Sequence, residues 1–329
     1  MQTRNLGNTG LSVSRLVLGT MTFGLQTDER TSGEILDAAT GAGINFLDLA
    51  DVYPLGGDLA TAGRTEEIVG RWLEGRRHRY ILATKAVGKM GPAEWDEGAS
   101  RKHLLDAVDA SLRRLKTDYI DLYQLHSDDR RTPLEETLQA LDDIVRAGKV
   151  RYVGVSNFLA YRLALALGKA EANRWTRFVS VQPRYNLLFR EIERELLPLS
   201  RESGLGVIPY NPLAGGLLTG KHAPGSPTAG TRFTLGTAAQ RYQDRYWHER
   251  EFRTVESLQR LADQAGHSLT TLSLAWVLAN PDITAPIIGL SRPNQLPDLL
   301  KATELQLDSQ LKLRLDELTT EYRRGDADR

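Results

Sequence analysis

The sequence predicts an α/β protein built as a closed, parallel (β/α)8 barrel, the TIM fold, and three observations favour this fold. Eight short apolar runs rich in strand-forming residues occur along the chain. Helical patterns lie between most of them. The ends of the first seven runs follow one another at intervals of 25 to 41 residues, the length of one strand with its crossover helix. Because a doubly wound sheet usually stops at about six strands, we expect a closed barrel and a single domain over residues 1–329.

The predicted strands are flanked by a short element at each end of the chain. The residues before Arg15 contain the turn signals Gly7, Asn8 and Gly10, which predict a small N-terminal β-hairpin covering the bottom of the barrel. The residues after Asp308 predict one appended helix. The eight strand runs are RLVLG ending at Gly19, INFLD at Asp48, YILATK at Lys85, YIDLYQLH at His126, RYVGVSN at Asn157, FVSVQ at Gln182, GVIPY at Tyr210 and APIIG at Gly289.

Helices are predicted between these runs. The clearest one begins at Thr132, where Thr132, Pro133 and Glu135 match a capping box with proline at the first helical position, and it ends at Gly148. Residues 101–115 carry leucine and valine at three- and four-residue spacings, which predicts an amphipathic helix. Shorter helices ending in glycine are predicted over residues 34–43, 66–75 and 190–204.

The regular rhythm breaks between the seventh and eighth strands. The segment from Tyr210 to Gly289 holds a loop rich in Pro, Gly and Thr (residues 223–237) and an aromatic and charged stretch (residues 241–252). It is long enough for two further helical segments. We therefore expect a long loop and helix elaboration at this point of the barrel.

Composition excludes several classes of protein. Lys plus Arg number 42 and Asp plus Glu number 42, and this balance lacks the basic excess of a nucleic-acid or anionic-membrane binder. The sequence has no Cys, which excludes disulfide scaffolds and thiol catalysis. No run approaches the roughly 18 apolar residues of a membrane span, and the N-terminus lacks a signal-peptide core. We expect a cytoplasmic protein whose partner is a small molecule, with no nucleic acid and no membrane.

A polar residue stands at the carboxyl end of almost every predicted strand. In a TIM barrel the reactive residues lie at the carboxyl ends of the strands, so these side chains should meet at one mouth. Asp48, Lys85 and His126 each end an apolar run, and Tyr53 follows Asp48 on the same loop. Buried charges persist only when they are paired. These four residues therefore predict a proton-transfer site.

The types of these residues indicate the chemistry. A tyrosine has a pKa of about 10, so to act as an acid near neutral pH it needs a cation that stabilises its phenolate, and Lys85 would supply one. Asp48 would hold Lys85 charged, and His126 would hydrogen-bond a substrate oxygen beside the Tyr53 hydroxyl. This set suits the reduction of a carbonyl group to an alcohol.

A second group of strand-end residues consists of amides and hydroxyls. Ser156, Asn157 and Gln182 have the donors and acceptors that a carboxamide such as nicotinamide requires, and Tyr210 has a ring that would stack on it. Together with the proton-transfer site they predict hydride transfer.

These residues carry a resemblance to a known family. GINFLDLADVY over residues 43–53, ILATK ending at Lys85, DLYQLH ending at His126 and VGVSNF over residues 153–158 resemble the signatures of the aldo-keto reductases. The stretches VIPYNPLAGGLLTGK (207–221) and APIIGLSRPNQL (285–296) are similar to the family's cofactor segments. The resemblance spans nearly the whole chain. It implies that Asp48, Tyr53, Lys85 and His126 form a catalytic tetrad with Tyr53 as the proton donor.

The resemblance further implies NADPH bound in an extended form, without a Rossmann fold and without a metal. Arg292 beside Ser291 offers a guanidinium, a hydroxyl and a nearby helix N-terminus to a 2′-phosphate, which favours NADPH over NADH. Asp298 stands where many relatives have Glu. The predicted cofactor-binding residues are Gly19, Thr20, Met21, Asp48, Ser156, Asn157, Gln182, Tyr210, Asn211, Pro212, Leu213, Gly215, Leu217, Lys221, Arg232, Gly289, Ser291, Arg292, Gln295 and Asp298.

The substrate mouth departs from the commonest family pattern. Leu49 follows the catalytic aspartate where Thr or Ser is usual, the loop 54–64 after Tyr53 is enlarged, and SDDRR follows His126. The residues predicted to contact substrate are Phe23, Tyr53, Trp95, His126, Asp128 and Arg130. Aldehydes, ketones, keto-sugars, keto-steroids and reactive carbonyl toxins all stay open as substrates.

One alternative function stays open, and the residues present argue against two others. Residues 98–115 resemble the β subunits of voltage-gated potassium channels, which indicates an NADPH-binding regulatory subunit as a rival to the enzyme. A metal-dependent barrel hydrolase would need several His and carboxylates at strand ends, and of six His only His126 ends a strand. Residues 215–221 match a P-loop pattern, which would indicate a nucleotide triphosphatase. The pattern is followed by His222 instead of the Ser or Thr that binds magnesium, which argues against that function.

Overall fold

The computed structural model describes residues 1–323 and contains the predicted barrel. Residues 324–329, the end of the predicted domain, lie outside the described residues. The N-terminal hairpin is formed by β1 (Thr3–Asn5) and β2 (Ser12–Ser14), which pair antiparallel. The eight barrel strands are β3 (Val17–Gly19), β4 (Phe46–Asp48), β5 (Ile81–Ala86), β6 (Ile120–Leu125), β7 (Val150–Ser156), β8 (Phe178–Gln182), β9 (Gly206–Val207) and β10 (Ile287–Gly289).

All eight barrel strands run parallel, in the order β10-β3-β4-β5-β6-β7-β8-β9. The sheet closes between its two end strands through backbone hydrogen bonds. The Thr284 amide donates to the Val207 carbonyl and the Ile287 amide to the Pro209 carbonyl, each at 2.8 Å. The predicted (β/α)8 barrel is therefore confirmed.

The strand β9 is shorter than the predicted run 206–210 because Pro209 has no amide to donate to the ladder. The backbone nevertheless continues along β8. The Ile208 amide donates to the Val181 carbonyl at 3.0 Å and the Tyr210 amide to the Pro183 carbonyl at 2.9 Å. Tyr210 thus reaches the mouth beside the end of β8.

Helices connect the strands as predicted, with the insertion placed before β10. Residues 101–115 form a helix as expected from their spacing. The helices are α1 (Glu29–Gly41), α2 (Arg64–Trp72), α3 (Arg101–Leu115), α4 (Leu134–Arg146), α5 (Ala160–Asn173), α6 (Leu196–Glu202), α7 (Ala239–Tyr246), α8 (Glu249–Gln264), α9 (Leu269–Leu278), α10 (Leu296–Glu304) and α11 (Ser309–Leu318). Within residues 1–323 no helix is long and apolar enough to cross a bilayer.

Several helix boundaries differ from the prediction. The helix predicted over residues 34–43 begins at Glu29, because the Asp28 side chain caps it there, and the helix predicted over residues 66–75 is α2 (Arg64–Trp72). The capping box at Thr132 is wrong, because Pro133 is the N-cap of α4 and the Thr132 hydroxyl donates instead to Asp129 at 2.8 Å. The predicted helix 190–204 begins only at Leu196. Since proline is tolerated in the first turn of a helix and not in its interior, Pro198 prevents the helix from extending upstream.

The hairpin closes the bottom of the barrel. Leu6 and Val13 are fully buried and pack with Val17, Phe46 and further barrel residues in one cluster. Gly7 adopts φ +56, and a Cβ there would lie 2.4 Å from the Gly204 carbonyl oxygen. Only glycine allows this close approach, so the bottom is sealed and the mouth is left as the open end.

Part of the insertion between β9 and β10 folds over the mouth. The Tyr246 hydroxyl at the end of α7 accepts hydrogen bonds from the amides of Asn186 (3.0 Å) and Asn211 (2.9 Å), which follow β8 and β9. The ring of Tyr242 lies so close to Gly215 that a Cβ there would be 2.8 Å from it. These contacts place α7 at the carboxyl ends of the last strands.

Candidate functional site

Asp48 and Lys85 form a buried ion pair at the ends of two neighbouring strands. Asp48 is the last residue of β4, and Lys85 lies near the end of β5. The Lys85 ammonium donates to the Asp48 carboxylate at 2.7 Å and to the Leu49 carbonyl at 2.6 Å. The Lys85 side chain is 0% exposed and that of Asp48 is 4% exposed. Gln182 on β8 donates to the other Asp48 oxygen at 2.8 Å, so the pair is held from three strands.

Tyr53 and His126 complete the cluster. The backbone after β4 continues beside β5, where the Asp51 amide donates to the Lys85 carbonyl at 3.0 Å, and it then turns so that Tyr53 points back. The Lys85 ammonium lies 5.1 Å from the centre of the Tyr53 ring. The rings of Tyr53 and His126 meet edge to face at 5.8 Å between centres. The four predicted residues are thus brought together.

The electrostatics of the cluster differ from the sequence-based expectation for Tyr53. Burial and the Asp48 carboxylate raise the pKa of Tyr53 well above its usual value, so the Lys85 cation does not make it more acidic in this state. Burial lowers the pKa of Lys85, with Asp48 opposing that shift. Burial and the charges of Lys85 and Arg241 lower the pKa of His126 to about 3. At neutral pH the site therefore holds a protonated phenol and a neutral imidazole.

The predicted amide and hydroxyl residues form a connected group beside the cluster. The Ser156 hydroxyl donates to the Gln182 carbonyl at 2.8 Å, and the Asn157 side-chain amide donates to the His126 carbonyl at 2.9 Å. The Tyr210 hydroxyl donates to the Asn157 side-chain oxygen at 2.9 Å. Asn157 adopts φ +58, which asparagine tolerates better than most residues. A hydrogen-bonded group of amide and hydroxyl side chains thus lies next to the proton-transfer cluster.

A second buried group behind Lys85 was missed by sequence reasoning. Asp51 is 0% exposed and neither of its carboxylate oxygens has a hydrogen-bond partner among the described residues. Glu66 is also fully buried, where it accepts from the Thr84 hydroxyl at 2.6 Å and pairs with Arg114 at 2.7 Å. Burial and the negative charge of Glu66 raise the pKa of Asp51 well above its usual value. The available signal was an acidic residue inside the loop that joins Asp48 to Tyr53.

This raised pKa predicts an unusual pH dependence for the variant Asp51→Asn. An Asp whose folded pKa is raised loses stabilising free energy as pH climbs from about 4, its unfolded pKa, towards the folded value, and Asn does not titrate. The free energy of unfolding of Asp51→Asn should therefore rise relative to that of the wild type, by at most about 1.4 kcal/mol per pH unit. Urea unfolding at about pH 5, 6, 7 and 8 measures it. A constant difference across this range, as expected for the exposed control Asp106→Asn, would contradict the shift.

Several predicted cofactor-binding residues, among them Asn211, Gly215, Lys221 and Arg232, lie on the loop after β9 and on the insertion. Asn211 accepts from the Gly215 amide at 2.6 Å, and Gly215 and Gly216 adopt positive φ. Lys221 is exposed. One guanidinium nitrogen of Arg232 is buried without a hydrogen-bond partner among the described residues, and another faces Gly289 at the end of β10. An unpartnered cation at the barrel mouth fits a diphosphate.

Ser291 and Arg292 line a cleft of about 550 Å³ after β10. Its opposite wall was not predicted and consists of residues that lead into α1, among them Gln26 and Asp28, and of residues in the first turns of α1, among them Glu34. Arg292 is exposed, which leaves its guanidinium available to a ligand. The cleft is open to solvent and fits the outer end of an extended nucleotide.

Other predicted cofactor residues have partners of their own. Gln295 accepts from the Ser291 amide at 2.8 Å and from the Arg292 amide at 3.2 Å, and so shapes the turn. Asp298 is exposed and accepts from Lys301 at 3.0 Å. Thr20 lies at the mouth, where its hydroxyl donates to the Asp48 carbonyl at 2.9 Å. Gly19 is the last residue of β3 and Met21 follows it, whereas Pro212, Leu213 and Leu217 lie in the segment after β9.

The predicted substrate residues are dispersed. Phe23 is completely buried in the hydrophobic core, and Trp95 is 58% exposed. Asp128 is paired with Arg162 at 3.1 Å and with Arg130 at 3.3 Å. The structure adds arginines that were not predicted, Arg184 after β8 and Arg241 and Arg245 on α7. Within residues 1–323 no group of three or more His, Cys, Asp or Glu side chains is placed to hold a metal ion.

Comparison with known proteins shows which family and which relatives the chain resembles. Residues 15–319 match the model of the aldo/keto reductase family. The chain is 42% identical to the uncharacterized oxidoreductase YrpG of Bacillus subtilis over 97% of this chain and 96% of that protein. It is 36% identical to a probable voltage-gated potassium channel subunit beta of Arabidopsis thaliana, with 93% and 92% covered. It is 32% identical to the versiconal hemiacetal acetate reductase of Aspergillus parasiticus, with 93% and 94% covered.

The family model covers most of the chain, and the relatives align over nearly their full lengths. The eight-stranded parallel barrel and the motifs at its mouth agree with this match. The chain therefore belongs to the aldo/keto reductase family.

Proposed function

We propose that the protein is an NADPH-dependent reductase that converts an aldehyde or ketone to an alcohol, with Tyr53 as the proton donor. The observation that carries the proposal is the buried ion pair of Lys85 and Asp48, 2.7 Å apart, with the Lys85 ammonium facing the ring of Tyr53. Burying two charges costs several kcal/mol per ion, and such an arrangement is typical of sites that use the pair chemically. The similarity to relatives named as an oxidoreductase and a reductase supports the same class of reaction.

The residues present fit a nicotinamide cofactor along the mouth. Ser156, Asn157 and Gln182 would hydrogen-bond the carboxamide and Tyr210 would stack on the ring, since all four lie in one connected group. Arg232, with its unpartnered buried nitrogen, would bind the diphosphate. Ser291 and Arg292 would bind the 2′-phosphate in the outer cleft. When bound, the reduced nicotinamide supplies the hydride that adds to the carbonyl carbon.

The protein side chains then manage the proton. The neutral His126 imidazole hydrogen-bonds the carbonyl oxygen and orients it towards the Tyr53 hydroxyl, and it does so without carrying charge because its pKa is about 3. Tyr53 donates its proton as negative charge develops on that oxygen. The Lys85 ammonium lies 5.1 Å from the Tyr53 ring and stabilises the phenolate left behind. Asp48 and the Leu49 carbonyl fix Lys85 in place.

The direct test is a titration with NADPH and NADH followed by a turnover assay. Tight NADPH binding, with loss of reduced-nicotinamide absorbance on a panel of aldehydes and ketones, is the expected result. Binding without turnover of any carbonyl would favour the second candidate, a cofactor-binding regulatory subunit, which the 36% identity to a channel β subunit supports. Failure to bind either nucleotide would overturn both.

Cofactor preference gives a separate prediction for Arg292→Ala. A guanidinium that pairs with a 2′-phosphate contributes charge-assisted hydrogen bonds that NADH cannot use. The dissociation constant for NADPH should rise about 10- to 100-fold, while that for NADH changes by less than about twofold. Fluorescence titration of both nucleotides measures this. An equal loss for both would mean that Arg292 supports the fold of the turn and does not read the phosphate.

A further inference from the structure

The mouth of the barrel carries an excess of unpaired positive charge. Arg184, Arg241 and Arg245 form no ion pair with any residue of the part of the chain that the structure describes. Arg241 and Arg245 are one turn apart on α7, so they share a face of that helix. Arg184 follows β8, where its backbone bridges to Tyr210.

These three arginines lie around the reacting groups. Arg184 stacks on Phe189 at 3.4 Å and lies 5.8 Å from the ring centre of Tyr246, the α7 residue that is hydrogen-bonded to the loops after β8 and β9. The Arg245 guanidinium lies 5.9 Å from the ring centre of Tyr242. The positive charges of Arg245 and Arg184 act to lower the pKa of Tyr210, and that of Arg241 acts to lower the pKa of His126. The cations therefore line the approach to Tyr53 and His126.

The acidic residues near the mouth are already engaged. Asp48 is paired with Lys85, and both carboxylate oxygens of Asp128 accept from Arg162 at 3.1 Å. Asp244, the acidic residue of α7, accepts from Gln240 at 2.7 Å. Like charges placed together in a cleft repel one another unless an anion joins them, and such a cleft concentrates anionic ligands.

We propose that the physiological substrate is an anionic carbonyl compound, and that Arg241 and Arg245, assisted by Arg184, bind its carboxylate or phosphate group while the carbonyl faces Tyr53 and His126. Arginine binds both of these groups through paired hydrogen bonds of fixed geometry. The proposal rests on the proposed reductase activity. It assigns α7 the role of selecting among substrates. Arg232 is not part of this anion site, because it would bind the diphosphate of the cofactor.

The test compares matched carbonyl probes that differ in charge. The pairs are 4-carboxybenzaldehyde with methyl 4-formylbenzoate, and glyceraldehyde 3-phosphate with glyceraldehyde, the two anions distinguishing carboxylate from phosphate. At low salt we expect kcat/KM for one or both anionic probes to exceed that for the neutral partner by about tenfold or more, and the advantage should fall as salt rises.

Variants locate the effect. The double variant Arg241→Gln/Arg245→Gln should lower kcat/KM for the preferred anion by about tenfold or more, mainly through KM, and leave the neutral probe within about twofold. The dissociation constant for NADPH should stay unchanged. The control Arg260→Gln, which removes an exposed arginine on α8, should have no effect on either probe. Equal losses for both probes, weakened NADPH binding or no preference for anions would overturn the proposal.

Equilibrium binding separates this inference from the reductase activity. Calorimetry with the alcohol product 4-(hydroxymethyl)benzoate and with glycerol 3-phosphate, on the NADP⁺-loaded protein, reports anion binding without any turnover. If no carbonyl is reduced but an anion binds and loses affinity in the double variant, the reductase proposal fails and the anion site stands. If carbonyls are reduced and neither anion binds, the anion site fails and the reductase proposal stands.

Discussion

Replacing Tyr53 with phenylalanine is expected to abolish carbonyl reduction while leaving NADPH affinity nearly unchanged. The substitution removes one hydroxyl and keeps the ring that packs edge to face with His126. A positioned general acid contributes about 10²- to 10⁴-fold to a rate, and kcat should fall by an amount of this order. Steady-state turnover and fluorescence titration of NADPH measure the two quantities.

The control for this variant is Tyr161→Phe, which removes a hydroxyl from an exposed position on α5. It should match the wild type in both assays. Substantial carbonyl reduction by Tyr53→Phe would contradict the assignment of Tyr53 as the proton donor.

The low pKa of His126, about 3, gives a prediction for the pH dependence of the wild type. The rate of carbonyl reduction should show no inflection as pH passes through the usual histidine range, about pH 6 to 7, and an inflection there would show that His126 ionises during the reaction.

Replacing Lys85 with methionine is expected to have the second large effect, on stability as well as rate. The variant leaves the Asp48 carboxylate buried without its cation, and breaking a buried ion pair in this way costs about 3–5 kcal/mol. kcat should also fall by about 10²-fold or more, because the group that stabilises the Tyr53 phenolate is gone. Urea unfolding and turnover assays report the two losses.

The double variant Asp48→Asn/Lys85→Met separates the two effects. The double variant has no buried carboxylate without a cation, so its free energy of unfolding should regain most of what Lys85→Met loses. Activity should not recover, since no cation faces Tyr53. A double variant that is as unstable as Lys85→Met, or one that regains activity, would contradict the role given to the pair.

The sequence predicted the residues whose surroundings are set by the strands themselves. Asp48, Lys85 and Gln182 stand at strand ends, and parallel pairing brings strand ends to one mouth whatever the loops do. Tyr53 lies beside these residues because it follows Asp48 on a short turn. Local spacing was sufficient at these positions.

Features that depend on long-range contacts were not predicted. The position of α7 over the mouth depends on hydrogen bonds from Asn186 and Asn211 to Tyr246, residues far apart in the chain. Arg241 and Arg245 could not be placed near the reacting groups without that contact. The burial of Asp51 beside Glu66 likewise depends on how α2 packs against the barrel, which the sequence pattern does not reveal.

Closure of the barrel through β10 has a consequence for biosynthesis. β3, the first barrel strand to leave the ribosome, pairs with β4 on one side and with β10, residues 287–289, on the other. Its second edge stays open until residues 287–289 have been made, and nascent chains tend to aggregate through open strand edges. A chain truncated before Ile287 would keep this edge of β3 permanently exposed. We therefore expect such truncated chains to be recovered as aggregates bound by chaperones, whereas a chain that includes β10 covers the edge of β3 by pairing with it.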